Sequence, residues 1–70
     1  MERVAVESSN ILSVGYDEAL SVLEVEFKGG SVYQYSGVPK EIAMGLIEAE
    51  SPGKYFAENI RAEGYAYARV

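Results

Sequence analysis

Residues Leu23 to Tyr35 read LEVEFKGGSVYQY. Leu23, Val25 and Phe27 alternate with Glu24 and Glu26, the two-residue period of a strand with one face buried and the other wet. A second strand-forming run closes on a Tyr-x-Tyr pair, Tyr33 and Tyr35. Between the runs stands Gly29-Gly30, and glycine takes positive φ at no steric cost, as a tight hairpin demands. The stretch predicts a β-hairpin. Its register has two solutions. A two-residue Gly29-Gly30 loop sets Tyr33 and Tyr35 on the face of Glu24 and Glu26. A three-residue loop ending in a left-handed Gly30 sets them with Leu23, Val25 and Phe27. One residue of slip exchanges the whole set between core and solvent. The second register gathers every large residue of the hairpin except Val22 and Val32 on one face, so it is the one expected.

Outward from the hairpin, Ile11 to Tyr16 reads as a preceding strand, with Leu12, Val14 and Tyr16 on one face. Asp17-Glu18-Ala19 supplies the connecting turn, because aspartate readily bonds its own backbone two residues on. Val4 and Val6 alternate weakly, and Ser8-Ser9-Asn10 breaks the pattern. After the hairpin, Pro39 suits a first helical position, with Glu41 near the positive helix end. Ile42, Leu46 and Ala49 follow as an apolar stripe, flanked by Ala43 and Ile47. Gly45 costs up to about 1 kcal/mol in a helix, so close packing against the sheet is expected there. Ser51 and Pro52 begin a second helix as N-cap and first residue, Phe56 and Ile60 form its stripe, and Gly64 ends it. The expected architecture is α+β: a three-stranded antiparallel meander, then two helices packed on one face, with residues 1–7 and 65–70 as peripheral or extended ends.

Seventy residues make one domain. A chain this short buries only about 60% of the surface its unfolded form exposes. Its core alone supplies roughly 3–5 kcal/mol. With no cysteine and no histidine, neither a disulfide nor a structural zinc site of those ligands can add to that. Dense packing or self-association is therefore expected. The amino terminus shows no apolar leader and no run reaches membrane-spanning length, which predicts a soluble cytoplasmic protein with no membrane partner. The net charge is −5. Residues 1–35 hold two basic and six acidic side chains, net −4, and residues 36–70 hold four and five, net −1.

Several segments together resemble the KTSC domain, a small family named for the carboxyl terminus of some lysyl-tRNA synthetases. They are SSNI (Ser8 to Ile11), GYD (Gly15 to Asp17), LEVEF (Leu23 to Phe27), GSVYQY (Gly30 to Tyr35), VP (Val38-Pro39) and SPGKYF (Ser51 to Phe56). The resemblance spans about Val6 to Tyr65 with the motifs in order. It implies a domain that occurs alone or as an appendage, with a central Tyr-x-Tyr motif. Its link to a tRNA enzyme implies an accessory, RNA-binding role.

Tyr33 and Tyr35 are the candidates for stacking unpaired bases, with Tyr16 or Tyr65 as neighbours. The alternative is that these rings are packing residues with wet hydroxyls, since aromatics are good strand formers. Ser51, Gly53 and Lys54, at a helix start, are candidates for a phosphate, against the simpler reading as an ordinary N-cap. Lys40, Lys54, Arg61 and Arg69 are candidates for a basic patch among Glu41, Glu48, Glu50, Glu58 and Glu63. No catalytic residue, cofactor or metal site is expected, because the acids lack the spacing of a metal loop and a small domain encloses no cleft. Two functions follow as expectations: RNA binding without catalysis, or protein interaction and self-association.

Overall fold

The computed structural model describes residues 3–70, so the first two residues of the expected amino-terminal end lie outside the described part. Strands β1 (Arg3–Ala5), β2 (Ile11–Asp17), β3 (Val22–Phe27), β4 (Val32–Ser36) and β5 (Tyr67–Arg69) form one antiparallel sheet in the order β1-β2-β3-β4-β5. Helices α1 (Lys40–Glu48) and α2 (Pro52–Phe56) lie between β4 and β5 in the chain. The α+β class and the central meander are as expected. The sheet, however, has five strands rather than three. The two additional strands are three-residue edges, each too short for its weak alternation to be read as a strand.

The hairpin adopts the three-residue loop. Phe27 N–H donates to the Ser31 carbonyl at 2.8 Å, and Gly29 and Gly30 take φ of 101° and 95°. Val25 therefore pairs with Tyr33 and Leu23 with Tyr35, so the Tyr-x-Tyr pair shares the core face. In β2 the expected face is corrected. A bulge between Ile11 and Ser13 leaves Leu12 without a place in the ladder and 42% exposed, while Ile11 turns inward opposite Phe27. An extra residue in one strand reverses the side-chain alternation beyond it. The connecting turn falls one residue later than read, at residues 18–21 with Asp17 still in β2, and the Asp17 carboxylate accepts from Leu20 N–H, three residues on, at 3.2 Å.

Pro39 is the N-cap of α1 rather than its first residue, with an extended ψ of 150°. Ser51 and Pro52 take the expected cap and first positions of α2, although the Ser51 side chain makes no capping bond. Gly45 is a close approach, but to Tyr55 of α2 and not to the sheet. A methyl group there would overlap the Tyr55 hydroxyl and lie 2.6 Å from its Cζ. The Tyr55 ring lies across the α1 backbone, its hydroxyl donating to the Ile42 carbonyl at 3.0 Å. Ala43, Leu46, Phe56 and Ile60 from the helical side close over Ile11, Val14, Leu23, Val25 and Tyr35 from the sheet. Each fully buried Leu or Ile is worth about 1.5–3 kcal/mol, which makes this layer the source of stability.

Beyond Phe56 the second helix widens into a π-helical turn, Ala57–Arg61, with Ala62 N–H donating to the Ala57 carbonyl at 3.1 Å. The chain then turns at Gly64 and returns to pair β5 with β4.

Candidate nucleic-acid interface

The helices leave one end of the core face open. There β4 and β5 pair Tyr35 with Tyr67 and Tyr33 with Arg69, so all four side chains start from the same side of the sheet. Five rings form a cluster at this end. Phe27 meets Tyr33 and Phe56 edge-on at centroid distances of 5.9 and 5.4 Å, and Tyr35 meets Phe56 edge-on at 5.5 Å. Tyr67 lies 5.5 Å from Tyr35 and 5.9 Å from Tyr33. Edge-to-face packing of this kind adds to the gain from burial and holds the rings in place.

The two tyrosines of the motif divide the possible roles. Tyr35 is buried, at 9% exposure, and Tyr33 is half-buried. Burial raises the Tyr35 pKa above its ordinary value, against the opposing pull of the nearby Arg61 guanidinium. Tyr16 and Tyr55 donate their hydroxyls to the Val38 and Ile42 carbonyls. Among the described residues, Tyr33, Tyr35, Tyr65 and Tyr67 show no such bond, and all four line a groove of ≈ 400 Å³ with Phe27, Phe56 and Arg61. A second groove of ≈ 360 Å³ adjoins it across Phe27, Phe56 and Arg61, and is lined further by Asn10, Ile11, Lys28, Gly53 and Ala57.

Among the described residues no carboxylate lines either groove; the charged lining residues are Arg61 and Lys28. Glu24 and Glu26 point from the opposite face of the sheet. There Arg3 Nε lies 3.4 Å from Glu24, Gln34 donates to Glu24 at 2.8 Å, and Ser13 donates to Glu26 at 2.9 Å. The net acidity of the chain therefore does not describe its open aromatic end.

The candidate residues separate accordingly. Tyr33, Tyr35 and Arg61 come together in the first groove, Tyr65 joins them, and Gly53 lines the second. Ser51 and Lys54 are exposed and line neither groove. The basic patch does not form as expected, because Lys40 lies at another part of the surface, 3.3 Å from Glu18. Tyr16 also lies there, lining a shallow groove with Lys40 and Met44. Sequence reasoning missed Tyr67, Lys28 and Asn10. The alternation of Tyr65-Ala66-Tyr67 was the one available signal; the other two reach the site only through the fold.

Residues 7–67 match the KTSC domain. The chain belongs to the KTSC domain family. A KTSC domain protein of Yersinia pestis, solved as a crystal structure, superposes with a TM-score of 0.90 at 36% identity, covering 99% of this chain and 96% of that one. An uncharacterized protein of Stutzerimonas stutzeri is 43% identical over 70 residues, covering 100% of this chain and 99% of its own length. A lysine–tRNA ligase of Nostoc punctiforme is 35% identical over 57 residues, which are 81% of this chain and 10% of that enzyme. In this KTSC domain, the SSNI, LEVEF, GSVYQY and SPGKYF segments each send at least one residue to the paired grooves: Asn10, Phe27, Tyr33 with Tyr35, and Gly53 with Phe56. Among the described residues no helix is long and apolar enough to cross a membrane, and no group of three or more acidic, histidine or cysteine side chains is placed to hold a metal.

Proposed function

We propose that this KTSC domain is a non-catalytic accessory module that binds single-stranded RNA on its open aromatic end. The observation that carries this reading is the pairing of a tyrosine-lined groove with cationic rims and, among the described residues, no lining carboxylate. Aromatic faces stack unpaired bases regardless of sequence, and cations beside them meet the phosphates. The likeness to a segment of a lysine–tRNA ligase supports an RNA-related setting.

Titration of labelled single-stranded RNA at low and at physiological salt tests the proposal. Tyr67→Ala is the informative variant, because Tyr67 is 66% exposed and its removal leaves the core intact. Loss of one stacking ring is expected to weaken binding by about 1–3 kcal/mol. Lys40→Gln, on another part of the surface, is expected to bind as the parent does. Equal affinity of Tyr67→Ala and the parent chain would remove the aromatic groove from consideration.

A second reading has its own support. β1 is an edge strand with Val4 49% exposed, and an open edge of this kind invites pairing with another chain. Self-association through β1 predicts a mass that rises with concentration in sedimentation equilibrium. A monomer at all concentrations would set it aside.

A further inference from the structure

The two grooves differ in character, and their shared boundary holds a charge. Each is near the lower end of the volumes that enclose small ligands, about 300–1,000 Å³, and so fits one nucleoside-sized group rather than a folded RNA. The first is walled by tyrosines. The second is slightly smaller, has no tyrosine among the described residues, and is lined by Asn10, Lys28 and Gly53. Arg61 belongs to both, together with the edge-packed pair Phe27 and Phe56.

The π-helical turn accounts for the position of Arg61. In a regular α-helix, residues five apart point about 140° away from one another, so Arg61 would turn away from Phe56. A π turn bonds residue i to i+5 and brings such pairs much closer to one face. The widened turn therefore carries Arg61 toward the ridge that Phe56 helps to form, while Ile60 stays in the core.

Resting on the RNA-binding reading above, we propose that the paired grooves hold two successive unpaired nucleotides of one strand. One base stacks among Tyr33, Tyr35 and Tyr67, and the next lies in the Asn10 groove. Arg61 meets the phosphate that links them, and Lys28 meets the following phosphate. A cation at the boundary of two nucleoside-sized grooves matches the one charge that lies between two linked nucleosides. Asn10 offers a side-chain amide to the edge of the second base, and that amide is in no protein hydrogen bond among the described residues.

Chemical-shift titration of the full chain tests this with a nucleoside monophosphate, a dinucleotide carrying a 3′ phosphate, the same dinucleotide with an uncharged methylphosphonate link, and a longer single-stranded RNA. The phosphate-linked dinucleotide is expected to bind about tenfold or more tighter than the mononucleotide, because the second contact becomes intramolecular. The uncharged link and Arg61→Gln are each expected to remove most of that gain. Two phosphate contacts give a logarithmic salt slope of about −1.4 for the parent chain and about −0.7 for Arg61→Gln. Arg61 is exposed, so an unchanged circular dichroism spectrum is expected for the variant. If longer RNA binds but the dinucleotide gains nothing over the mononucleotide, the two-nucleotide site is overturned and the RNA-binding reading stands. Equal binding of charged and uncharged links would overturn the role of Arg61. If no RNA binds even at low salt, both the site and the function fall.

Discussion

Gly45 shows how one missing side chain sets the contact between the two helices. By propensity alone, alanine at this position would stabilise α1 by about 1 kcal/mol. The structure reverses that sign, because the Tyr55 ring occupies the space a methyl group needs. Overpacking of this kind costs about 1–3 kcal/mol, so Gly45→Ala is expected to lower the urea midpoint, with a net loss of up to about 2 kcal/mol. In a Tyr55→Leu background the ring is gone, and the same substitution is expected to become neutral or stabilising. A double-mutant cycle reads this coupling directly. Additive effects would show that the ring does not fix this site. The same scale explains Tyr35 and Tyr67, which face one another across the β4–β5 pair and both line the groove: one is 9% exposed and the other 66%, so only the first is also part of the core.

Among the elements, β5 brings Tyr67 to the proposed site on little buried surface. Its three residues are all exposed, and it is fastened by its ladder with β4 and by bonds at its two ends. Ser36 N–H donates to the Ala66 carbonyl at 2.8 Å, and Val70 N–H to the Val32 carbonyl at 2.9 Å. Few buried contacts and exposed backbone bonds mark the low-stability end of a structure. Amide exchange in β5 is therefore expected to be much faster than in β3, whose Leu23 and Val25 are fully buried. Deleting residues 67–70 is expected to leave a folded domain that binds RNA more weakly. Protection of β5 equal to that of β3 would contradict this account. The hairpin is the opposite case, since its turn, register and buried face all agree, and it was legible in the sequence for that reason.

At the scale of the whole molecule, stability rests on one thin layer. A core of this size supplies roughly 3–5 kcal/mol, while removing a buried leucine side chain costs about 2–5 kcal/mol. Leu46 is fully buried between the helices and the sheet. Leu46→Ala is therefore expected to leave a large unfolded fraction at 25 °C without denaturant, visible in circular dichroism and in loss of a cooperative transition. A cooperative transition shifted by less than about 1 kcal/mol would mean that stability comes from elsewhere, such as self-association. Charge is also arranged at this scale. The acids of β3 are held on the outer face by Arg3, Ser13 and Gln34, while Arg61 and Lys28 stand at the grooves.

The sequence by itself determined the α+β class, the central meander, the hairpin register and the segments that resemble the KTSC domain. These follow from local alternation, turn chemistry and caps, which act over a few residues. The two edge strands depend on backbone bonds between distant segments, and the β2 bulge changes which face a residue takes without leaving a mark in composition. The tertiary structure alone brought Asn10, Lys28, Arg61 and Tyr67 to one end of the sheet and set Lys40, Ser51 and Lys54 outside its grooves. Spacing along the chain cannot express that arrangement, because it depends on how the helices cover the sheet and on the π turn that carries Arg61 around.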